Sequence, residues 1–554
     1  MNKLFSHWMN HKNINNKYKE IMHQMSDEEI SVYFSDEPIS MGTAGFRAKI
    51  GPGNHNLNEF TYMQLSIGYA NFLSKKYDLN NNDLSILIVH DNRKDGDKYA
   101  LVCANVLKSL GFKVYLNYDN ELLPTPIASY LIPKLKCVGC INITASHNPK
   151  EYNGFKCYDH TGCQLLPDDS SMIVNNMPSS FDILDTIPDF SENGFEYVNK
   201  EIIDEYFLEI KNRLLRSDIN KNNKLKIVYS AMHGTASNYM TKFLNSCGYT
   251  CIDFEDHNFP NSDFINAPLC NPEDPKSLTS VTKYADTIDV KLVFASDPDA
   301  DRLAIGLKKD DKWVFLNGNQ AGIIETFYRL KMLENDLREK VVISTYISNN
   351  LIDRMVKNIG YVIRTATGFK WVGDQINKLD FTKSVYVNGF EEAIGALPTD
   401  LNRDKDSFQT ALLALEILNY YYDKNYDYID ILEKEIFPKF GHWFGETTSL
   451  IIEGFDWKDK ALKMLNKLMV FNQQYVLNRQ VINVIYNEKG SCLEIYFQND
   501  SWVKFRLSGT EPKFKIYINL YSNNENYSVD PTITKNLQNE ANEIANYFKE
   551  FLFN

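Results

Sequence analysis

A serine and a histidine stand side by side in residues 144–149, directly after an apolar run over residues 137–143. The apolar run is typical of a buried strand, and the small and polar residues that follow mark its end. Because Pro149 lacks a backbone donor and disfavours helical angles in the residue before it, we expect an irregular turn that presents Ser146 and His147. The pattern predicts a hydroxyl nucleophile delivered by a strand to a loop, and an ordinary surface loop is the alternative.

Three aspartates alternate directly after a second apolar run, at Asp297, Asp299 and Asp301. Carboxylates this close to a buried strand repel one another unless a cation neutralises them. A calcium loop of the EF-hand type is excluded, because Arg302 and Lys308 stand where it needs glycine and glutamate. A solvated acidic turn remains open. Magnesium prefers carboxylate oxygens together with a phosphate oxygen, so the alternative to a solvated turn is a site at which the aspartate triad holds Mg²⁺ beside a phosphate.

Two further stretches have the composition of anion-binding loops. Residues 41–47 combine two glycines with the hydroxyl of Thr43 and the guanidinium of Arg47. Residues 506–515 combine an arginine, a serine, a glycine, a threonine and two lysines. Glycines let backbone amides approach an anion, and the cationic side chains add charged donors. A glycine-rich connector and a basic hairpin are the alternative interpretations of these two stretches.

The composition limits the classes of partner. A chain of 554 residues with 44% apolar residues can bury several cores, and three to five domains are expected. The net charge of −13 argues against a nucleic-acid surface, so an anionic substrate must be held by a local cationic pocket. The start lacks the apolar core of a secretion signal, and no apolar run is long enough to span a bilayer. We expect a cytoplasmic protein without a membrane partner.

The nine cysteines show no regular spacing, which fits reduced thiols. Cys137 and Cys140 have the spacing of a zinc or redox pair. Because they fall inside the predicted strand rather than on a tight turn, we interpret them as core thiols.

Strands alternate with helices through most of the chain, which predicts α/β sheets with functional residues at the carboxyl ends of the strands. The first 34 residues are polar and compatible with helices, and they are predicted to form an arm on the first domain. The predicted strands include 84–89, 113–116, 225–230, 291–295 and 340–345. After a helix over 408–422 the composition changes, and strands at 480–486 and 492–497 with a closing helix over 532–551 predict a smaller last domain.

The motifs together resemble the α-D-phosphohexomutase family. The string Thr-Ala-Ser-His-Asn-Pro is a specific match to its phosphoserine loop, so Ser146 is implied to carry a phosphoryl group and to contribute a metal ligand beside the aspartate triad. Thr43 and Arg47 match substrate-binding positions of that family. Lys405 matches a lysine close to the reacting oxygen, and His147 and Lys405 are the candidates for proton transfer. Lys156 and Arg302 are further candidates for charge stabilisation at the substrate.

The resemblance also places the sugar and the distal phosphate. Glu391 matches the sugar-recognition loop, with Thr367 and Gly368 upstream as further substrate-binding candidates. The family's terminal phosphate loop matches five residues here, namely Arg506, Ser508, Gly509, Thr510 and Lys515. Ala393 stands where a serine is usual, and Ser407 replaces a glycine. The Glu-Glu-Ala-Ile-Gly form is similar to the phosphoglucomutase-2 and phosphopentomutase branch, which includes glucose-1,6-bisphosphate synthases.

The resemblance implies an α/β fold of four domains around a central cleft, three related α/β domains and a smaller α+β domain. The expected ranges are 1–205, 206–320, 321–440 and 441–554. They carry the phosphoserine, metal-binding, sugar-recognition and phosphate-binding loops, respectively. We expect a monomer or a weak homodimer.

The activity implied is that of a magnesium-dependent mutase. It would interconvert the 1-phosphate and 6-phosphate of glucose, or the 1-phosphate and 5-phosphate of ribose or deoxyribose. The reaction would pass through a phosphoserine and a sugar bisphosphate, and the bisphosphate would also serve as activator. Glucose-1,6-bisphosphate synthesis and non-catalytic binding of a phosphosugar remain the alternatives.

Overall fold

The computed structural model describes residues 2–39, 41–42, 45–77, 84–216, 225–454, 456–508, 513–522 and 530–553. These residues form two compact units. The first comprises Met1–Phe315 with Asp400–Leu412, and the second comprises Leu316–Thr399 with Leu413–Asn554.

An arm of three short helices opens the first unit. They are α1 (Lys3–Asn10), α2 (Asn16–His23) and α3 (Asp27–Tyr33). The side chain of the residue before each helix accepts a backbone N–H of its first turn, which starts the helix. Leu4, Trp8 and Met22 are buried in one hydrophobic core with the helix that follows. The arm therefore packs on the first domain, as its apolar residues predict.

The first sheet has six strands. They are β1 (Phe46–Lys49), β2 (Ser85–His90), β3 (Lys113–Leu116), β4 (Gly139–Ile143), β5 (Tyr152–Asp159) and β6 (Glu196–Tyr197), with helices α4 (Glu59–Lys76), α5 (Gly96–Ser109), α6 (Thr125–Lys134) and α7 (Pro167–Val174). The strand order is β1-β5-β4-β2-β3-β6. β2 lies parallel to β3 and β4, while β5 runs antiparallel to β1 and β4. Every residue of β4 is buried, as expected of a central strand covered on both faces.

The second sheet repeats this plan in the same unit. Its elements are α8 (Lys200–Leu214), β7 (Lys226–Ser230), α9 (Met240–Ser246), β8 (Thr250–Asp253), α10 (Thr279–Thr287), β9 (Leu292–Ser296), β10 (Leu303–Lys309) and β11 (Lys312–Phe315). The order is β11-β10-β9-β7-β8, with β7 parallel to β8 and β9. β9 is buried throughout and ends where the aspartate triad begins.

The third sheet lies in the second unit, with the order β13-β12-β14-β15. The elements are α11 (Gly318–Met332), β12 (Glu339–Thr345), α12 (Leu351–Val356), β13 (Gly360–Thr365), α13 (Phe369–Asn377), β14 (Ser384–Glu391) and β15 (Gly395–Leu397). Helix α14 (Ser407–Tyr420) comes next, with its residues up to Leu412 in the first unit and the rest in the second. β12 is parallel to β13 and β14. The short helices α15 (Tyr428–Ile431) and α16 (Phe437–Phe440) follow, separated by a π-helical turn.

The C-terminal domain is rich in β structure and almost wholly antiparallel. It contains β16 (Trp443–Ile451), α17 (Trp457–Met469), β17 (Tyr475–Val476), β18 (Arg479–Asn487), β19 (Cys492–Phe497), β20 (Trp502–Leu507), β21 (Lys513–Tyr521) and α18 (Pro531–Phe553). The strand order is β16-β21-β20-β19-β18-β17, and residues of α17 and α18 share one hydrophobic core with the sheet. The fold is thus three α/β domains and a fourth, β-rich domain, which confirms the predicted fold class. Each sheet falls within one predicted range, and the ranges themselves stay a prediction.

The cysteines are buried thiols, as the sequence predicts, but Cys137 lies two residues before β4 and not inside the predicted strand. All nine are free and buried. Burial raises the pKa of Cys137 to about 12 and that of Cys140 well above its ordinary value, which leaves both thiols protonated. Among the described helices, none combines the length and the apolar character that a bilayer crossing requires.

Candidate active site

Ser146 lies just beyond the carboxyl end of β4, on a backbone held in an unusual conformation. Its φ is 51°, in the left-handed region that costs a non-glycine residue on the order of 1–3 kcal/mol, and its side chain is buried. Its backbone N–H donates to Thr144 Oγ1 at 2.9 Å, and that hydroxyl donates to Asp91 Oδ2 at 2.6 Å. The turn is therefore fixed by buried polar groups and not by chain flexibility.

Arg93 lies just beyond the carboxyl end of the neighbouring strand β2, and its guanidinium holds the same loop in place. Its guanidinium donates to the carbonyl oxygens of Ser146 and Asn148 at 2.6 Å each, and to those of Pro149 and Tyr152 at 2.8 and 2.7 Å. Its charge is balanced by Asp91 Oδ2, 3.2 Å from Arg93 Nε. The sequence analysis missed Arg93 as a site residue, although its position at the end of a parallel strand is the signal that could have found it.

The aspartate triad meets this serine. Ser146 Oγ donates to Asp297 Oδ2 at 2.8 Å, across 151 positions of sequence. One carboxylate oxygen from each of Asp297, Asp299 and Asp301 lies within 4.8 Å of the others, and all three side chains are buried. The first unit thus brings the predicted nucleophile and the predicted metal ligands together.

The donor set of the triad fits a divalent cation. Asp299 Oδ1 and Asp301 Oδ1 are buried and accept no hydrogen bond from the described residues. Buried carboxylate oxygens without donors are costly, and a hard cation is the partner that oxygens of this kind bind best. Thr125, at the start of α6, contacts the same loop: its N–H and Oγ1 donate to Asp299 O and Oδ2 at 2.9 and 3.1 Å.

Two lysines neutralise part of the triad. Lys156 Nζ, on β5, lies 2.6 Å from Asp299 Oδ2 and 3.7 Å from Asp301 Oδ2. Lys405 Nζ lies 3.0 Å from Asp301 Oδ2 and 3.3 Å from Asp404 Oδ1. Both predicted lysines therefore face the metal-binding loop, where they can also contact an anion held there.

Asp297 and Asp299 differ in acidity. Burial raises the pKa of Asp297 well above its ordinary value, and the charges of Asp301 and Asp299 add to this. Burial acts in the same sense on Asp299, but the ammonium of Lys156 outweighs it and lowers the pKa of that carboxyl. Without a cation, a proton is held more easily at Asp297, the carboxylate bonded to the serine, than at Asp299. A bound divalent cation would favour the ionised form of all three carboxylates.

His147 and Arg302 flank the serine and the triad. His147 Nδ1 lies 3.2 Å from Ser146 Oγ, within reach for a proton exchange. Arg302 donates its backbone N–H to Asp297 Oδ1 at 3.1 Å, and its guanidinium lies 3.2 Å from Glu273 Oε2. His147 therefore lies beside the Ser146 hydroxyl, whereas Arg302 contacts Asp297 through its backbone and directs its guanidinium to Glu273.

Arg47 supplies a further cation to this site. It donates to Asn148 Oδ1 at 2.8 Å, while its buried Nε donates to no described group. Burial lowers its pKa, and the negative charges of Asp299 and Asp301 oppose that change. A buried guanidinium with a spare donor suits a phosphate oxygen. Thr43, predicted beside it, lies outside the described residues.

In the second unit, Glu391 fixes the loop that is predicted to recognise the sugar. It ends β14, is buried, and its Oε1 accepts the backbone N–H of Gly368 at 2.7 Å. Gly368 has a φ of 109°, which a side chain would strain, and it precedes α13 without a capping side chain of its own. Glu391 thereby takes the role of the cap and holds Gly368 and its neighbour Thr367 close to it.

Glu392 connects this loop electrostatically with the predicted phosphate loop of the same unit. Burial raises the pKa of Glu392 to about 7, Glu391 adds to the increase, and the charges of Lys515 and Arg506 reduce it. Arg506 and Lys515 face each other across β20 and β21. Ser508 donates its N–H to the Lys513 carbonyl at 2.9 Å. Gly509 and Thr510 lie outside the described residues. The sequence analysis carried over Glu391 only, because no pattern distinguishes the second glutamate.

Comparisons with known proteins agree with this geometry. Three family models match in chain order: phosphoglucomutase/phosphomannomutase α/β/α domain I over residues 38–182, domain II over 204–310 and domain III over 317–434. A phosphomannomutase from Mycoplasmoides pirum is 40% identical over 527 residues, covering 95% of this chain and 96% of that protein. A phosphoglucomutase from Staphylococcus aureus strain USA300 is 29% identical, covering 91% and 93%.

The solved structures agree on the fold. A phosphoglucomutase/phosphomannomutase family protein from Burkholderia thailandensis superimposes with a TM-score of 0.66 at 18% identity, covering 92% of this chain and 97% of its own. An α/β fold with a strand-end serine beside three aspartates defines a phosphoryl-transfer protein of the phosphosugar mutase class. The chain belongs to the phosphoglucomutase/phosphomannomutase family, that is, to the α-D-phosphohexomutases.

Proposed function

We propose that this phosphohexomutase is magnesium-dependent and transfers a phosphoryl group between Ser146 and the two ends of a sugar phosphate. The observation that carries the proposal is the 2.8 Å hydrogen bond from Ser146 Oγ to Asp297, within a buried triad whose spare oxygens suit a cation. A serine hydroxyl in a loop that serves only structure has no need of three buried carboxylates.

Mg²⁺ would be held by Asp297, Asp299, Asp301 and an oxygen on Ser146, where it would neutralise charge on the phosphoryl group. The protein's own part is alignment and charge, since phosphoryl transfer leaves little covalent work to side chains. Lys156, Lys405 and Arg47 would bind the oxygens of the transferred group, adding the positive charge that the net charge of −13 does not supply.

The reaction proceeds in two transfers. In the first, the bond from phosphorus to Ser146 Oγ breaks, a bond to the free sugar hydroxyl forms, and the hydroxyl proton passes to His147 or Lys405. The sugar now carries two phosphates. In the second transfer, the other phosphate returns its phosphoryl group to Ser146 Oγ, and the proton goes back to the oxygen of the product.

The second unit carries the remaining residues predicted to bind a sugar phosphate. We propose Glu391 as the acceptor for sugar hydroxyls, with Thr367 and Gly368 beside it. The distal phosphate would bind Arg506, Ser508, Gly509, Thr510 and Lys515. The Glu-Glu-Ala-Ile-Gly form that contains Ala393 supports a substrate range that includes pentoses, whereas the names of the relatives favour glucose and mannose.

The test compares turnover of the 1-phosphates of glucose, mannose and ribose under one condition, with a catalytic amount of the matching bisphosphate and Mg²⁺. We expect turnover of at least one of them, lost in Ser146→Ala and lost after chelation of the metal. Build-up of bisphosphate from an acyl phosphate donor, with no isomerisation, would instead identify a bisphosphate synthase. No turnover of any of them by protein that binds phosphosugars would contradict both.

A further inference from the structure

A cavity that is separate from the candidate active site lies in the first unit, and none of its lining residues belongs to that site. Its volume is about 800 Å³, within the range of cavities that hold small organic ligands. Three segments wall it: residues 117–121 after β3, one face of α8, and residues 238–246, which include α9. We call it the α8 cavity.

Aromatic rings form part of the lining. The ring of Phe207 lies 5.0 Å from that of Phe243 and 6.0 Å from that of Tyr239, stacked on the latter. Burial raises the pKa of Tyr239 to about 12, so its hydroxyl stays a neutral donor. Rings that are grouped in this way offer faces and edges to a planar ring system.

Polar groups of two kinds complete the lining. Asn117 is only 2% exposed, its Nδ2 donates to the Glu121 carbonyl at 3.1 Å, and its side chain contacts the Tyr239 hydroxyl. The charged lining residues are Lys200, Lys211 and Lys242 against Glu121 and Asp204. This surplus of positive charge occurs in a chain whose net charge is −13.

We propose that the α8 cavity binds a nucleoside phosphate that acts as an effector of the enzyme. The base stacks on the aromatic rings, and its phosphates contact the lysines. This ligand class supplies both the planar ring and the negative charge. A sugar phosphate supplies only the charge.

Each wall of the cavity continues into a contact with the catalytic loops of the same unit. Residues 117–121 lead to Thr125, whose hydroxyl donates to Asp299 Oδ2 at 3.1 Å. The 3-10 turn before α9 begins at Thr235, whose N–H donates to the Pro298 carbonyl at 2.8 Å. In α8, Tyr206 precedes Phe207 and donates to Asp406 Oδ2 at 2.7 Å.

These contacts connect the cavity with both the triad and the loop of Lys405. A ligand that orders the three walls therefore restricts the conformations of the triad. Because the ligand binds one of these conformations more tightly than the others, it changes the rate of turnover. The effect on rate rests on the proposed mutase function, whereas the binding does not, so the two can fail separately.

The probe is adenosine 5′-diphosphate, titrated into the full chain by calorimetry. We expect one site, weakened at least tenfold in Lys242→Glu. Lys283→Glu makes the same charge change at an exposed lysine of α10 that does not line the cavity, and it should bind as the parent chain does. Absence of heat, or equal affinity in all three proteins, would overturn the proposal.

Binding of the diphosphate at the catalytic site is the competing outcome, because its phosphates also suit the cations there. Under our proposal Ser146→Ala keeps full affinity for the probe, a saturating phosphosugar does not displace it, and Lys242→Glu turns over substrate like the parent chain when the probe is absent. The probe then changes kcat in the parent chain and not in Lys242→Glu. Displacement by phosphosugar would assign the probe to the catalytic site and overturn the proposal.

Discussion

Lys156 Nζ and Asp299 Oδ2 form an ion pair 2.6 Å long in which both side chains are almost completely buried, at 2% and 1% exposure. The two residues come from different sheets, β5 of the first and the loop after β9 of the second. The pair joins the domain that carries Ser146 to the loop of the aspartate triad. Burial acts to raise the pKa of Asp299, and the ammonium of Lys156 lowers it below its ordinary value.

Removal of that ammonium should destabilise the protein in a way that Mg²⁺ repairs. Lys156→Met leaves three buried carboxylates with less compensation, and breaking a buried pair costs roughly 3–5 kcal/mol. Urea unfolding measures the loss, and addition of MgCl₂ should restore more stability to the variant than it gives to the parent chain. Lys308→Met, at a more exposed pair with Asp286, is the control. A loss that is unaffected by Mg²⁺ would contradict the metal assignment.

Arg93 should matter for turnover without touching the substrate. Its guanidinium donates to four carbonyl groups of the serine loop, a geometry that lysine cannot reproduce. We expect Arg93→Lys to lower kcat about tenfold to a hundredfold through displacement of Ser146. Lys94→Gln, at the exposed neighbouring position, should leave kcat unchanged. Equal kcat in the Arg93 variant would show that the loop holds its conformation without these bonds.

Glu325 on α11 should make the stability of the protein depend on pH. Burial raises its pKa to about 8, although Asn388 Nδ2 donates to its Oε2 at 3.1 Å. Because the folded pKa lies above the unfolded value, the contribution of Glu325 to stability is fully present below about pH 4.5 and is lost as pH rises through 8. Glu325→Gln should remove this dependence and raise stability near pH 7 by on the order of 2–3 kcal/mol.

Unfolding measured from pH 5 to pH 8 checks this dependence. Glu325 Oε1 and Asn388 Oδ1 are both buried, and neither accepts a hydrogen bond from the described residues. A protonated Glu325, or a glutamine in its place, carries a hydrogen-bond donor that the ionised carboxylate lacks. Glu334→Gln, at an exposed position, serves as the comparison. Parallel pH curves for the parent chain and Glu325→Gln would show that Glu325 is ionised in the fold.

Glu391 should affect substrate binding more than the chemical step. Loss of a charged acceptor costs about 1.5–3 kcal/mol, so Glu391→Ala should raise KM roughly tenfold to a hundredfold with a smaller change in kcat. Glu391→Gln keeps an acceptor for the Gly368 N–H, so its KM should lie between those of the parent chain and Glu391→Ala. Glu339→Gln is the exposed control. A fall in kcat at constant KM would place Glu391 in the chemistry instead.

The sequence predicted best what local pattern determines. The apolar runs before Ser146 and Asp297 do form buried strands, β4 and β9, and the strands 113–116 and 492–497 have the predicted bounds. Cys140 is a core thiol inside β4, and Cys137 is a core thiol that follows a turn just before this strand, so only part of the predicted strand is present.

The local pattern could not predict which residues become neighbours in the tertiary structure. Arg93 and Thr125 act across strand ends that become neighbours only in the strand order, and nothing local indicates which end lies beside Ser146. The pairing of Lys156 with Asp299, rather than with a phosphate alone, also depends on how two sheets meet within one unit. Thr43, Gly509 and Thr510 stay predictions, since they lie outside the described residues.

The central claim is that Ser146 carries the phosphoryl group, and mass spectrometry of the intact chain tests it most directly. After incubation with glucose 1,6-bisphosphate and Mg²⁺, we predict one added phosphoryl group on the parent chain, located to Ser146 by peptide fragmentation, and none on Ser146→Ala. A phosphoryl group at another residue, or equal labelling of both proteins, would contradict the account.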